Sequence, residues 1–193
     1  MSTVLLKNFS ELNFDRKEIL TYMGCKEADG EINALLDSCI NEVKCKLSYK
    51  ACYCELKVDI LDDICDFGLF KVRSSSLAQY LNGCKKTVVF AATVGVLLDR
   101  LIAKYSKISP SRAFALNAIG VQQIEKLCDM FCDSIEKGAS KKFRFSAGYG
   151  DLPLETQKDI FNILDCSKKI GLTLNNSLVM SPSKSVTAFL RID

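Results

Sequence analysis

The sequence predicts an α+β fold, and three features of its patterning carry that prediction. Asp29 to about Leu47 and Arg112 to Lys137 place apolar residues three and four apart, as helices with one buried stripe do. Thr87-Val88-Val89-Phe90-Ala91-Ala92-Thr93 is apolar with little alternation, as expected of a strand covered on both faces. Ser185 to Ile192 alternates, with Val186, Ala188, Leu190 and Ile192 on one side and Thr187, Phe189 and Arg191 on the other. That pattern predicts a half-buried strand. No internal repeat and no long linker interrupts the 193 residues. The expected architecture is a single domain over 1–193, with helices flanking a mixed or antiparallel sheet.

The remaining elements follow in order. Val4-Leu5-Leu6 predicts a short strand, and Asp15 caps a helix through Leu20 that Gly24 ends. In the helix from Asp29, Ile32, Leu35, Leu36, Cys39, Ile40 and Val43 point inward. Tyr49 to Val58 reads as a half-buried strand, Asp59 to Asp66 as short and mixed, and Gly68 to Val72 as another strand. Ser74, Ser75 or Ser76 caps a helix over Leu77–Leu81 that Gly83 stops. After the apolar strand, Gly95 leads into a helix over Val96–Lys104. Ser109-Pro110 starts the long helix, because serine caps and proline fits the first helical position. Val121, Ile124, Cys128, Phe131 and Ile135 line its inner face; Gln122, Glu125, Lys126, Asp129, Asp133 and Glu136 line the rest. Gly120 allows another element to come close, and Gly138 ends the helix. Pro153 opens a helix reaching Cys166, held to the core by Ile160, Phe161 and Leu164 and stopped by Gly171. Leu172–Leu174 and Leu178–Met180 are short strands, the second broken by Pro182.

Composition removes several function classes. There is no histidine, so His-based triads, HExxH sites and the commonest zinc ligand are absent. A formal charge of +3 is too weak to indicate nucleic acid. No signal-peptide core opens the chain and no run is long enough for a membrane span, so the ten cysteines are expected as mostly unoxidised thiols in a reducing cytoplasm. Cys52 and Cys54 form a CxC pair, but no second pair stands at metal-site spacing, and no metal site is expected. The turn at Gly95 lacks the further glycines of a GxGxxG nucleotide loop.

The stretch where chemistry concentrates is RFSAGYG, Arg144 to Gly150. Arg144 offers a planar fork of donors suited to a carboxylate or phosphate. Gly148 lets the backbone bend or approach a ligand, and Tyr149 supplies an apolar face with a hydroxyl tip. Local chemistry alone leaves two readings open, a surface turn with an exposed arginine and a ligand-binding loop.

The C-terminal block decides between them by resemblance. Arg144, Gly148, Tyr149, Pro153, Gly171, Leu172, Thr173, Met180, Pro182, Ser185 and Val186 fall in a pattern that resembles the activation domain of cobalamin-dependent methionine synthase. Upstream, Leu81 to Tyr105 is similar to small stand-alone bacterial proteins of this type, so the resemblance covers 65–193 and leaves 1–64 as an N-terminal portion. It implies a helmet-like domain with a curved sheet that binds S-adenosylmethionine in a shallow site. It also implies docking over the corrin of a cobalamin-binding methionine synthase module or corrinoid protein. There, one electron from a flavodoxin-type donor and the methyl group of S-adenosylmethionine would restore methylcobalamin from cob(II)alamin. Arg144 would hold the methionine carboxylate, the backbone at Ser146 and Gly148 would approach the ligand, and Tyr149 would pack against it. Glu125 is the expected acidic partner for the ammonium or ribose. No residue is needed as a catalytic acid or base, so an accessory role rather than an enzyme of its own is implied. Ala147 stands where the family has proline, and Leu190 where it has tyrosine. These departures keep open a non-catalytic protein of the same fold that docks on a corrinoid protein. A methyltransferase acting on another substrate is a third reading, and a homodimer through the N-terminal helices stays open.

Overall fold

The protein is described by a computed structural model covering residues 3–25, 27–135 and 143–192. The first strand, β1 (Leu5–Asn8), is followed by α1 (Arg16–Tyr22), which Asp15 caps by accepting the Glu18 N–H at 3.0 Å. Asp29 caps α2 (Gly30–Val43) in the same way through Ile32, at 2.8 Å. This helix stops at Val43 rather than near Leu47, because the chain leaves helical geometry at Lys44 and turns left-handed at Cys45. Glu11 holds the turn, its carboxylate accepting both the Cys45 N–H at 2.9 Å and the thiol at 3.1 Å.

Next come β2 (Lys50–Lys57) and a small sheet of its own, β3 (Asp59–Leu61), β4 (Ile64–Asp66) and β5 (Lys71–Arg73). The mixed stretch after Val58 is thus a hairpin of two short strands. Ser74 caps α3 (Ser75–Tyr80), which leads to β6 (Lys86–Thr93). Then follow α4 (Leu97–Tyr105) and the long α5 (Pro110–Ile135). The predicted end of that helix at Gly138 lies outside the described residues. The helix predicted to reach Cys166 is broken at Asp165, which adopts φ +48° and separates α6 (Thr156–Leu164) from α7 (Cys166–Ile170). Short strands β7 (Thr173–Leu174) and β8 (Met180–Ser181) pair, and β9 (Ser185–Arg191) follows.

The main sheet runs β1-β2-β6-β9 and every neighbouring pair is antiparallel. Val88, Phe90 and Ala92 of β6 face a core filled by α2, α4 and α5, while Val89 and Ala91 face a second core under α3, α6 and α7. That double cover is why β6 carries no alternation. β9 departs from its predicted half-burial. Ala188 and Leu190 join the first core, but Thr187 and Phe189 are buried too. Phe189 stacks on Phe67 next to the small sheet, with centroids 5.2 Å apart. Alternation marks one wet face only when nothing covers the second face.

Gln122 also departs from the outer face predicted for it. It and Gln123 are fully buried, and Gln123 accepts the Tyr49 hydroxyl at 2.5 Å and donates to Gln122 at 2.7 Å. At Gly120 a Cβ would meet the Lys184 stem at 2.9 Å, so the element that comes close is a side chain. No helix among the described residues is long and apolar enough to cross a membrane.

Phe90 lies at the centre of the first core, its ring 4.5 Å from that of Phe131 and fully buried. Phe90→Ala should therefore lower unfolding free energy by about 3–5 kcal/mol, measured by urea denaturation of both proteins.

Candidate functional site

After the long helix the chain returns to the sheet at a single residue. Phe145 bridges β9 at Phe189 with two backbone hydrogen bonds of 3.0 and 2.8 Å, adding one residue beyond the last strand. The next residues turn back on themselves. The Tyr149 N–H donates to the Ser146 carbonyl at 3.1 Å, Gly148 to Leu152 at 2.9 Å, and Leu152 to Tyr149 at 3.0 Å. Gly148 holds φ +88°, which any other L-residue would strain to adopt. Gly150 is required for space as well: a Cβ there would lie 2.5 Å from Ser76 Oγ.

Asp151 fixes the turn to α3. Its carboxylate accepts the Ser74 hydroxyl at 2.6 Å and the N–H groups of Ser75 and Ser76 at 2.8 and 3.0 Å. The Ser74 hydroxyl, then the Ser76 amide, hold this carboxyl well below the usual carboxylate range.

Arg144 projects from the start of the loop onto α5. One terminal nitrogen donates to Glu125 at 2.6 Å and the other to Asp129, and its side chain is only 16 % exposed. Burial opposes the guanidinium's charge, but the hydrogen bond to Asp129 and the acidic surroundings outweigh it, so its pKa is pushed further up. Glu125 and Asp129 stand four apart, one turn along the same helix face. Across from them α1 contributes Glu18 and Tyr22, and Cys132, Asp133 and Phe143 complete a cleft of ≈ 460 Å³. Four carboxylates therefore line it against one guanidinium. Burial, then the charge of Glu18, raises the Tyr22 phenol pKa.

An aromatic band continues from the cleft along the loop. Tyr80 packs edge-on against Phe143 at 5.7 Å and stacks on Phe145 at 5.4 Å; Tyr149 meets Phe145 edge-on at 6.1 Å. The Tyr80 hydroxyl donates to the Phe143 carbonyl at 2.6 Å and accepts the Arg191 N–H at 3.0 Å, tying the loop to the end of β9. Phe143 is 62 % and Tyr149 52 % exposed, so both rings are open to a ligand face.

The structure brings Arg144 and Glu125 into direct contact in this cleft. Both terminal nitrogens of Arg144 already donate to acids of its own chain, so two of the five N–H donors of the fork predicted for a ligand carboxylate are in use. Ser146 is half-buried and Gly148 and Tyr149 are exposed farther along the loop. The Gly148 N–H is used within the turn, which removes it as a donor to a ligand. Leu190 is buried in the first core, in the same apolar cluster as Cys128, Phe131 and Cys132. Asp129, Asp151, Tyr80 and Phe143 were not singled out as site residues from the sequence. The four-residue spacing of Glu125 and Asp129 is the one signal that could have found Asp129. Among the described residues no group of three or more His, Cys, Asp or Glu is placed to hold a metal ion. No disulfide joins any of the ten cysteines.

Comparison with known proteins points the same way as the motif. Residues 130–192 match a family described as vitamin B12 dependent methionine synthase, activation domain. The fold is similar to the crystal structure of the MetH reactivation domain bound to AdoHcy, with a TM-score of 0.72. That likeness covers 98 % of this chain and 78 % of that one at 13 % sequence identity. No curated protein sequence matches the chain.

The Asp151 contacts set an acid dependence. Its pKa is depressed by folding, so its contribution is complete above the unfolded value of about 4 and is lost as pH falls toward the lowered folded one. Asp151→Asn should reduce the melting temperature near neutral pH, and the difference from wild type should shrink as melts are recorded at successively lower pH. A difference independent of pH would mean that the carboxylate charge contributes nothing.

Proposed function

We propose that this protein binds S-adenosylmethionine at the Arg144 cleft and supports reductive methylation of cob(II)alamin on a cobalamin-binding module or corrinoid protein in the cytoplasm. A flavodoxin-type donor would supply the electron. The observation that carries this reading is the coincidence of motif and cleft. The loop matched by the activation-domain family is the one whose arginine closes an acidic cleft, in a fold similar to a domain solved with AdoHcy.

The donor set suits part of such a ligand and contests another part. When bound, S-adenosylmethionine supplies an electrophilic methyl group on a sulfonium. Its cationic ammonium and sulfonium suit a cleft edged by Glu18, Glu125, Asp129 and Asp133. Its carboxylate suits Arg144, provided that a resident acid gives way. The exposed faces of Tyr149 and Phe143 suit a flat adenine or the sulfonium. Positioning and charge are all that these residues have to provide. No proton has to move, so a chain without histidine is not handicapped. The N-terminal portion supplies Glu18 and Tyr22 while the C-terminal portion supplies Phe143 and Arg144, which supports 1–193 working as one domain.

Two observations favour a second reading, a protein of this fold that docks on a corrinoid protein without using S-adenosylmethionine. Leu190 sits among apolar side chains where the family has a tyrosine, and Arg144 is satisfied by its own acids.

Titration calorimetry separates the two. Wild type should bind S-adenosylmethionine at one site, and Arg144→Ala should weaken binding at least about tenfold through loss of a charge-assisted contact. A wild type that takes up no S-adenosylmethionine, yet co-elutes with a cobalamin protein, would support the second reading and overturn the first.

A further inference from the structure

We propose that Asp129 is a resident competitor for the guanidinium of Arg144, standing where a ligand carboxylate must bind and so setting the affinity and selectivity of the cleft. This rests on the cleft being the S-adenosylmethionine site. An arginine recognises a carboxylate best through two parallel N–H donors from neighbouring nitrogens. Here those nitrogens go to two different acids, Glu125 and Asp129. An incoming carboxylate that takes the pair meets an acid already bonded to each nitrogen, and like-charge repulsion favours release of one of them.

Exposure decides which. The Asp129 side chain is 62 % exposed and that of Glu125 41 %. Asp129 therefore regains more hydration on release and gives up the better-screened interaction. Glu125 remains as the permanent partner that keeps Arg144, at 16 % exposure, from being left as a buried unpaired charge.

The surrounding charge sharpens the effect. Glu18 and Asp133 line the same cleft, so an anionic group arriving without displacement would enter a field already negative by several charges. A cation enters freely. The cleft as built favours ligands whose positive groups outweigh their carboxylate, and it penalises the carboxylate by the strength of the Asp129 contact. Such a built-in rival restrains tight binding, which suits a methyl donor that has to be exchanged after each use.

Asp129→Asn tests the proposal, because it removes the charge while keeping the size. Two ligands are titrated into wild type and variant by calorimetry: S-adenosylmethionine, and its decarboxylated form, which keeps the sulfonium and amine but has no carboxylate. The variant should bind S-adenosylmethionine about threefold to tenfold more tightly, in the range of a partly screened ion pair. Its affinity for the decarboxylated ligand should stay equal or fall, since the cleft has lost a negative charge. Thermal melts of the two proteins establish that the variant is folded. Equal or weaker binding of S-adenosylmethionine by the variant, with wild-type binding intact, overturns the competitor role and leaves the site assignment standing. Equal tightening for both ligands also overturns it, since the gain would not depend on the carboxylate. If neither protein binds either ligand, the site assignment itself falls and this role falls with it.

Discussion

Two backbone hydrogen bonds at Phe145 set where Arg144 and its loop meet the cleft. They dock the chain onto β9 at one residue, immediately after Arg144 and immediately before the Ser146–Leu152 turn. Because Cβ positions alternate along an extended segment, fixing Phe145 toward the second core throws Arg144 to the other side, over the acidic stripe of α5. The same anchor leaves only a few residues in which to reach α3. Gly148 and Gly150 make that possible by accepting positive φ, and Asp151 completes it by capping α3 from outside. The loop is thereby bonded at both ends, and Tyr80 ties it a third time. Rigid support of this kind is what a binding constellation needs if its members are to hold a fixed geometry.

Electrostatically, the cleft has the character of an acidic basin with one internal counter-ion. The net formal charge of the chain is positive, so this local excess of carboxylates is a property of arrangement rather than composition. Arg144 is mostly withdrawn from water and would be destabilising without a partner. Glu125 and Asp129 answer that need, and in doing so they occupy the donors that make arginine useful for recognition. Structural stability and the proposed ligand contact thus draw on the same two nitrogens. The family match begins at residue 130, on α5 just past Asp129, so α1 and both of these acids lie outside it.

How much of this could be read from the sequence follows from the range of the forces involved. β6 was legible because no residue from Val88 to Ala92 is polar, and only a doubly covered strand tolerates that. The cap at Asp15 was legible, and that at Ser74 as one of three neighbouring serines, because capping acts over three residues. The early end of α2 was not, since Glu11 reaches Cys45 across 34 positions. Burial on both faces of β9 was hidden because Thr187 is compatible with either environment and Phe189 is covered by distant Phe67. Gln122 read as a surface residue because its burial is shared with Gln123 and Tyr49, 74 positions from Gln123. Within the site, Arg144 and the glycine turn were visible as a motif, and Glu125 as a plausible acid. Tyr80 carries no local sign of its role, since its partners are Phe143 and Arg191, 63 and 111 positions away.

Leu190 belongs to the apolar core rather than to the lining of the cleft. It lies in the apolar cluster with Cys128, Phe131 and Cys132, and Cys132 in turn lines the cleft. A phenol in place of this leucine would bring a hydroxyl into that cluster, and a buried hydroxyl without a partner costs about 1–3 kcal/mol. Leucine avoids that cost. Charge at the edge of the cleft, from Glu18, Glu125, Asp129 and Asp133, would select a ligand by its own charge and in a way that depends on ionic strength more than on shape.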